Sequence, residues 1–189
     1  KLLVIAPFPI KEPRHGGQKR TQALVKYYKS IVSDVAFIAI FSKTAYPVYE
    51  ETDICLGQKE VLDEIDAHPQ RFDLLIGEAP DIDIHTRSYL AKALREYTPD
   101  IIHIEQPYLY KGLRVLLDEL TMDPIIIFGS ENAEAKLKSD ILTSDVIEKT
   151  EALSIVESTT KVETDFTQEA DLVVAVSAED LDYHKALGS

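Results

Sequence analysis

Short apolar runs alternate with helical patterns along the whole chain. Five runs have the length and continuous apolar character of strands buried on both faces of a parallel sheet, namely residues 1–6, 35–41, 100–104, 124–128 and 171–176. Ile54-Cys55-Leu56 predicts a shorter additional strand. Because helical patterns separate the strands, the fold class predicted is α/β: a doubly wound, mostly parallel, Rossmann-like sheet with helices on both faces.

The helical patterns place apolar residues three and four positions apart. The first helix, from about Gly17 to Ser30, is expected to bury the stripe formed by Leu24, Tyr27, Tyr28 and Ile31. Similar stripes predict helices around residues 90–97 and 109–120, the former with Thr86 as its N-cap.

The remaining segments are harder to assign. Residues 72–77 fit either a strand or a buried helix, and residues 79–84 are predicted to form a loop. One long, mostly helical segment is expected from about Asp140 to Glu169, anchored among others by Val146, Leu153 and Phe166. Gly129 is expected to end its strand. Ser177 begins a capping box for a last helix, and Gly188 suits the C-terminal end of that helix.

Charge is distributed unevenly over the 189 residues. The net charge is −13, but residues 1–30 carry +6, which leaves −19 for the rest. An acidic chain of this kind is not expected to bind nucleic acid or acidic membranes, and it has no strong membrane signal. Pro7 and Pro9 interrupt the first apolar run, which is therefore unlike a signal peptide, and the lone Cys55 suggests a cytoplasmic protein. The length and the apolar content predict one domain over residues 1–189, with two very small domains as the alternative.

The basic cluster surrounds a Gly-Gly pair between the first strand and the first helix. Gly16 and Gly17 in this position can direct backbone N–H groups and a helix N-terminus at an anion, with Lys19 and Arg20 close by. The alternative is a plain turn followed by a solvated basic helix face. Other polar residues follow later strands, and in a doubly wound sheet such strand ends form the ligand site; they are Glu105, Gln106, Glu131 and Asn132.

Several common sites are missing from the sequence. It contains no Gly-x-Gly-x-x-Gly after the first strand, no Walker loop and no Gly-x-Ser-x-Gly elbow. The five histidines do not show a metal-ligand spacing, and no metal or other cofactor is expected. His103 lies within a strand and is interpreted as a packed structural residue.

Four stretches together are similar to a known family. They are the opening strand with its loop to Gly16-Gly17 and Arg20, Pro99-Asp-Ile-Ile-His-Ile-Glu-Gln-Pro107, residues 124–134 and Ala170-Asp-Leu-Val-Val-Ala-Val-Ser177. In their order and spacing they resemble the N-terminal domain of a GT-B glycosyltransferase, from the large retaining family that includes sucrose synthases and phosphatidylinositol mannosyltransferases.

The resemblance implies a sugar transfer from a nucleotide-sugar donor to an acceptor, which is a small molecule, a glycan or a lipid. It also implies a second, donor-binding domain that is absent from this chain, so that the chain alone is expected to be inactive. Gly16 and Gly17 would approach the diphosphate or the sugar, with Arg20 and Lys19 beside the phosphate. Glu105, Gln106, Glu131 and Asn132 would bind substrate hydroxyls.

One position departs from the family pattern. Many members have a His in the loop after the strand at 124–128, where this chain has Glu131, or Ser130 if the alignment is offset by one residue. The change replaces a neutral or cationic donor by an acidic group, which predicts a different acceptor or an altered activity. Two other functions remain open: a stand-alone ligand-binding or regulatory domain, and half of a two-domain sugar-nucleotide epimerase.

Overall fold

A computed structural model describes residues 1–142 and 148–188. Within them, six parallel strands form one sheet in the order β3-β2-β1-β4-β5-β6. Their bounds are β1 Leu2–Ala6, β2 Val35–Phe41, β3 Ile54–Cys55, β4 Ile101–Glu105, β5 Ile125–Ser130 and β6 Leu172–Ala175. The doubly wound α/β class predicted from the alternating pattern is confirmed, and every predicted strand is present.

Eight α-helices connect the described strands and cover the sheet. Their bounds are α1 Gly16–Ile31, α2 Lys59–Ala67, α3 Phe72–Ile82, α4 Ile84–Tyr97, α5 Tyr110–Leu120, α6 Glu134–Leu142, α7 Lys149–Glu169 and α8 Ala178–Leu187. The predicted helix ends at Ser177 and Gly188 are confirmed, since the Ser177 side chain accepts from the Asp180 N–H and Gly188 has a left-handed φ of 106°.

The strands at the centre of the sheet are buried on both faces, which explains why their sequences are continuous apolar runs. All five residues of β1 are buried, and their side chains alternate between two layers. Leu3 and Ile5 face the main core under α3, α4 and α5, while Leu2 and Val4 pack with Val25 of α1. Each such Leu or Ile stabilises the fold by about 1.5–3 kcal/mol through burial of apolar surface.

Residues 72–84 form helices, so the loop predicted for residues 79–84 is wrong. Helix α3 is buried along most of its length, which removes the alternation of polar and apolar positions that would have distinguished it from a strand. Pro80 lies in the last turn of α3, where the helix is about to end. The predicted N-cap Thr86 is also wrong, because the Asp83 carboxylate accepts from the N–H groups of His85 and Thr86.

Residues 134–169 contain two helices, α6 and α7, where a single one was predicted from about residue 140. Phe166 is fully buried as expected. Leu153 is not an anchor, since it is 52% exposed and Ile155 is buried in its place. The expected anchor Val146 lies outside the described residues.

The buried face of α1 differs from the predicted stripe. Tyr27 and Ile31 are 60% and 61% exposed, whereas Gln18, Thr21 and Val25 are buried. Two of these three residues are polar because this face meets the ends of β1 and β4, where the neighbouring groups are polar as well. Leu24 and Tyr28 of the predicted stripe are half-buried, so apolar spacing marked the edge of the buried face and not its centre.

Candidate functional site

The candidate site lies where the strand order reverses. Strands β1 and β4 are neighbours at the centre of the sheet, but the chain leaves β1 toward β2 on one side and β4 toward β5 on the other. The connections therefore separate and open a crevice beyond the carboxyl ends of the two strands. The Gly16-Gly17 pair comes from the first connection, and Glu105 and Gln106 come from the second.

Gln18 holds the loop that precedes α1. Its side chain is buried, donates to the Pro9 carbonyl at 2.7 Å and accepts from the Arg14 N–H at 2.7 Å. Helix α1 then begins at Gly16, with His15 as N-cap. The first turn of α1 contains no acidic residue, so the positive end of the helix dipole is not neutralised by its own side chains.

The two glycines have different surroundings. A Cβ added at Gly16 would meet nothing within 4 Å, whereas a Cβ at Gly17 would lie 2.5 Å from Oε2 and 2.9 Å from Oε1 of Glu131. Only Gly17 therefore needs to lack a side chain for a close approach. The group that approaches it is the carboxylate of Glu131, which packs against the first turn of the helix.

Arg20 is oriented by Glu105. Its guanidinium forms an ion pair with Glu105 Oε2, which also accepts from the Thr21 hydroxyl at 3.3 Å. The Glu105 side chain is fully buried and the Arg20 side chain is 25% exposed. Arg20 is also 3.8 Å from Glu131 Oε1, which is beyond hydrogen-bond distance. Arg20 thus balances a buried carboxylate and keeps one partly exposed edge.

His103 supports Glu105 from within the sheet. Its ring is fully buried, and Nδ1 lies 2.8 Å from the Tyr28 hydroxyl. Its Nε2 is 2.8 Å from Glu105 Oε1, although the angle is not that of a hydrogen bond. The burial agrees with the interpretation of His103 as a packed residue. His103 and the residues packed around it hold the Glu105 carboxylate in one orientation.

Gln106 adopts an unusual backbone conformation. Its φ is 66°, in the left-handed region that residues with a Cβ rarely adopt, and its N–H donates to the Gly129 carbonyl at 3.0 Å. The turn directs the side chain so that Nε2 donates to Glu131 Oε2 at 3.1 Å. Backbone strain at a strand end is typical of binding sites, and its immediate result here is to hold Glu131.

Glu131 is the least satisfied acidic group of the site. Its side chain is only 9% exposed, and Oε1 has no hydrogen-bond partner among the described residues. Burial, reinforced by the negative charge of Glu105, raises the pKa of Glu131 to about 7. The hydrogen bond from Gln106 and the charge of Arg20 act in the opposite direction but do not compensate. Near neutral pH this carboxyl therefore exists in both protonation states.

The structure brings together most of the residues singled out in the sequence. Gly17, Arg20, Glu105, Gln106 and Glu131 form one connected cluster, with Gly16 open beside it. Lys19 points to solvent. The Asn132 amide donates instead to Glu134 Oε1 at 3.2 Å, on the far side of the loop.

A second polar cluster next to Glu131 was missed by sequence reasoning. Buried Glu134 accepts from the Tyr108 hydroxyl at 3.1 Å. Buried Glu163 accepts from the backbone N–H groups of Glu134 at 2.7 Å and Ala135 at 3.0 Å, and from the Tyr183 hydroxyl at 2.9 Å. A carboxylate that receives the first N–H groups of α6 orients the loop containing Glu131. The sequence showed the acidic residues within 130–134, but it did not show that Glu163 contacts this segment.

A cavity of about 600 Å³ lies elsewhere, between β2, β3 and α4. Apolar and aromatic side chains such as Ile38, Tyr89 and Tyr97 supply much of its wall. Asp53, which also borders it, already accepts from the backbone N–H groups of Ala39 and Glu50, both at 2.9 Å. The crevice at β1 and β4 has the buried, incompletely paired charge that this cavity lacks, and it is therefore the better candidate for chemistry.

Neither a family model nor a curated protein sequence matches the chain. Among residues 1–142 and 148–188, no group of three or more His, Cys, Asp or Glu is arranged to hold a metal ion. The same residues include no helix with the length and apolar character of a membrane span.

Proposed function

We propose that this chain is the N-terminal, mainly acceptor-binding domain of a retaining GT-B glycosyltransferase, which transfers a sugar from a nucleotide-sugar to an acceptor. The proposal rests on one observation: Gly17, Glu131 and Gln106 lie in contact at the point where the strand order of the sheet reverses. A helix N-terminus, an incompletely paired carboxyl and a side-chain amide there supply groups that bind phosphate and hydroxyls.

In the proposed reaction this domain positions the substrates. Its part would be to hold the transferring sugar and its diphosphate against the first turn of α1, while a second domain closes over them. Stabilisation of the departing diphosphate by N–H groups needs no covalent intermediate on this chain. Glu105 and Arg20 would keep the floor of the site rigid, because their mutual pairing leaves little freedom to either side chain.

The test is release of nucleoside diphosphate by the full-length native protein. It is incubated with UDP-, GDP- and ADP-sugars and with sugar and polyol acceptors, and the anomeric configuration of any product is determined by NMR. Acceptor-dependent release with retained configuration is expected. A Gly17→Asp variant, which adds a second carboxylate beside Glu131, is expected to lose this activity, whereas Lys161→Ala, at an exposed lysine of α7, is expected to keep it.

Other outcomes would replace the proposal. Tight binding of a nucleotide without release would favour a ligand-binding domain, and conversion of the donor without an acceptor would favour an epimerase. Full activity of Gly17→Asp would remove the Gly16-Gly17 turn from the site. The mass of the native polypeptide, compared with the 21.2 kDa of this chain, tests independently for the second domain.

A further inference from the structure

The Glu131 carboxyl packs against the first turn of α1, where a Gly17 side chain would otherwise lie. Its carboxylate is the nearest group to the missing Cβ of Gly17, and Gln106 holds Oε2 there. The other oxygen, Oε1, is buried without a hydrogen-bond partner in the described part of the chain, and the side chain is more than nine-tenths buried. An anion bound at this turn would lie next to Glu131, and the ionised carboxylate would repel it strongly.

From this geometry we infer that Glu131 binds the anion of the ligand as a neutral acid, donating a hydrogen bond from Oε1 while Gly16 and Gly17 donate from the backbone. The ligand class is an oxyanion with at least one free acceptor oxygen, such as a phosphate or sulfate group. The inference deepens the proposed function and rests on it for the natural source of the anion, the donor diphosphate.

The proton comes from solvent and no covalent bond changes. When the carboxylic acid forms, Oε1 becomes a donor where the ionised group offers only acceptors. Oε2 can continue to accept from Gln106. Because Oε1 is buried, the carboxyl must turn toward the crevice for Oε1 to reach the anion. The pKa of Glu131, raised to about 7 by burial and by Glu105, makes this proton available at small cost near neutral pH.

The charged groups around Glu131 come from every neighbouring segment. Glu105 of β4 and Glu134 of α6 favour the protonated form, while Arg20 of α1 favours the ionised form. Tyr46, whose pKa burial raises to about 12, stays neutral and contacts His15 at 3.3 Å. His15, the N-cap next to Gly16, is a further titratable group, with a pKa that burial lowers from its usual 6.5. A charged His15 would also favour anion binding at low pH. The test must therefore separate the effect of His15 from that of Glu131.

Sulfate is the probe, because its charge is constant over the relevant pH range. Its binding to this 189-residue chain is followed by the amide NMR shifts of Gly16 and Gly17 at pH 6, 7 and 8 and constant ionic strength. If only protonated Glu131 accepts the anion, the affinity falls about tenfold between pH 6 and pH 8. Glu131→Gln, whose amide can also donate, is expected to bind at all three values with a change of less than about twofold.

Each other result has a defined meaning. Glu131→Ala removes the donor and is expected to bind sulfate more weakly and without pH dependence. A pH dependence that persists in Glu131→Gln would assign the effect to His15 and overturn the inference, as would an affinity of the wild type that does not change with pH. Absence of any shift at Gly16 and Gly17 at pH 6 would also overturn it.

The inference and the proposed function can fail separately. Sulfate binding linked to Glu131 would stand even if no nucleotide-sugar were turned over. Conversely, glycosyl transfer by the full-length protein together with a pH-independent sulfate affinity would leave the function and remove the role of Glu131.

Discussion

Arg20, one turn into the first helix, pairs with Glu105 at the end of β4, 85 residues further along the chain. The contact fastens α1 to the carboxyl end of the central strand pair. Because Glu105 is fully buried, its charge depends on this partner and on the neighbouring Thr21 hydroxyl. The same contact sets the position of the helix N-terminus, and therefore links the stability of the fold to the geometry of the site.

Removal of Arg20 should consequently destabilise the protein strongly. Arg20→Ala leaves a buried carboxylate without its counter-charge, and we expect the free energy of unfolding to fall by about 3 kcal/mol. Arg114→Ala is the matched control, since Arg114 pairs with Asp118 on the exposed face of α5 and should contribute no more than about 0.5 kcal/mol. Urea unfolding of the three proteins measures the difference. Equal losses in the two variants would contradict a structural role for the Arg20–Glu105 pair.

The two neighbouring glycines give a second comparison. Gly17→Ala places a methyl group against the Glu131 carboxylate, which must shift and give up its contact with Gln106. Since a helical Ala is favoured over Gly, the net change in stability should stay within about 1 kcal/mol. Sulfate affinity at pH 6 is nevertheless expected to fall at least fivefold, because the acid no longer faces the helix N-terminus.

Gly16→Ala is the control for that substitution. The added methyl group meets no protein atom within 4 Å and leaves the backbone N–H of residue 16 in place, so sulfate affinity should fall clearly less than in Gly17→Ala and stability should not decrease. NMR titration and thermal unfolding measure both quantities. If the two alanine variants bound sulfate equally well, the close approach of Glu131 to Gly17 would have no functional meaning.

The sheet was predictable because its strands are buried on both faces. Residues 1–6, 35–41 and 100–104 read as uninterrupted apolar runs, and this was enough to recognise their parallel arrangement. Gly129 was expected to end β5, but the strand continues to Ser130. A glycine is needed there because a Cβ would collide with His103 and Glu105 of the adjacent strand, a contact that no local pattern reveals.

The site was predictable in position but not in its contacts. The predicted parallel topology brought Glu105 and Gln106 to the same edge of the sheet as the Gly16-Gly17 turn, and the structure has them there. The ion pair of Arg20, the positive φ of Gln106 and the burial of Glu131 depend on residues far apart in sequence. Periodicity failed for α1 for a related reason, since the face that meets the site is polar.

The raised pKa of Glu131 also makes stability depend on pH. The folded protein keeps this proton up to about pH 7, whereas the unfolded chain loses it near its usual value of 4.5. The folded state therefore binds more protons between these values, so the contribution of Glu131 to stability is complete below about pH 4.5 and is lost as the pH rises through 7. The full difference is roughly 3 kcal/mol.

Glu131→Gln should remove this contribution without changing the shape of the side chain. Other groups also titrate, including Glu134 and Glu163, whose pKa values burial raises, and His184, whose pKa burial lowers. The readout is therefore the difference in unfolding free energy between wild type and variant, measured at intervals from pH 5 to pH 8. We expect the variant to gain on the wild type from pH 5 to about pH 7 and the difference to level off above that pH. A constant difference would mean that Glu131 titrates normally.

Asp83 ties two helices together and offers the last prediction. Its fully buried carboxylate accepts from the N–H groups of Gly57 at 3.0 Å and Gln58 at 3.4 Å, just before α2, and from those of His85 and Thr86 at the start of α4. Asp83→Ala leaves four donors without this acceptor, and we expect a loss of about 2–4 kcal/mol.

Asp81→Ala is the matched control. Asp81 is exposed, and its ion pair with Arg87 is long, at 3.7 Å, so its removal should lower the free energy of unfolding by about 0.5 kcal/mol or less. Urea unfolding compares the two variants, and amide hydrogen exchange locates the effect. The amides of Gly57 and His85 should exchange faster in Asp83→Ala while those of the central strand β1 keep their relative protection, since α2 and the start of α4 lie at the edge of the sheet. Unchanged protection at Gly57 would show that the carboxylate does not hold the two helices together.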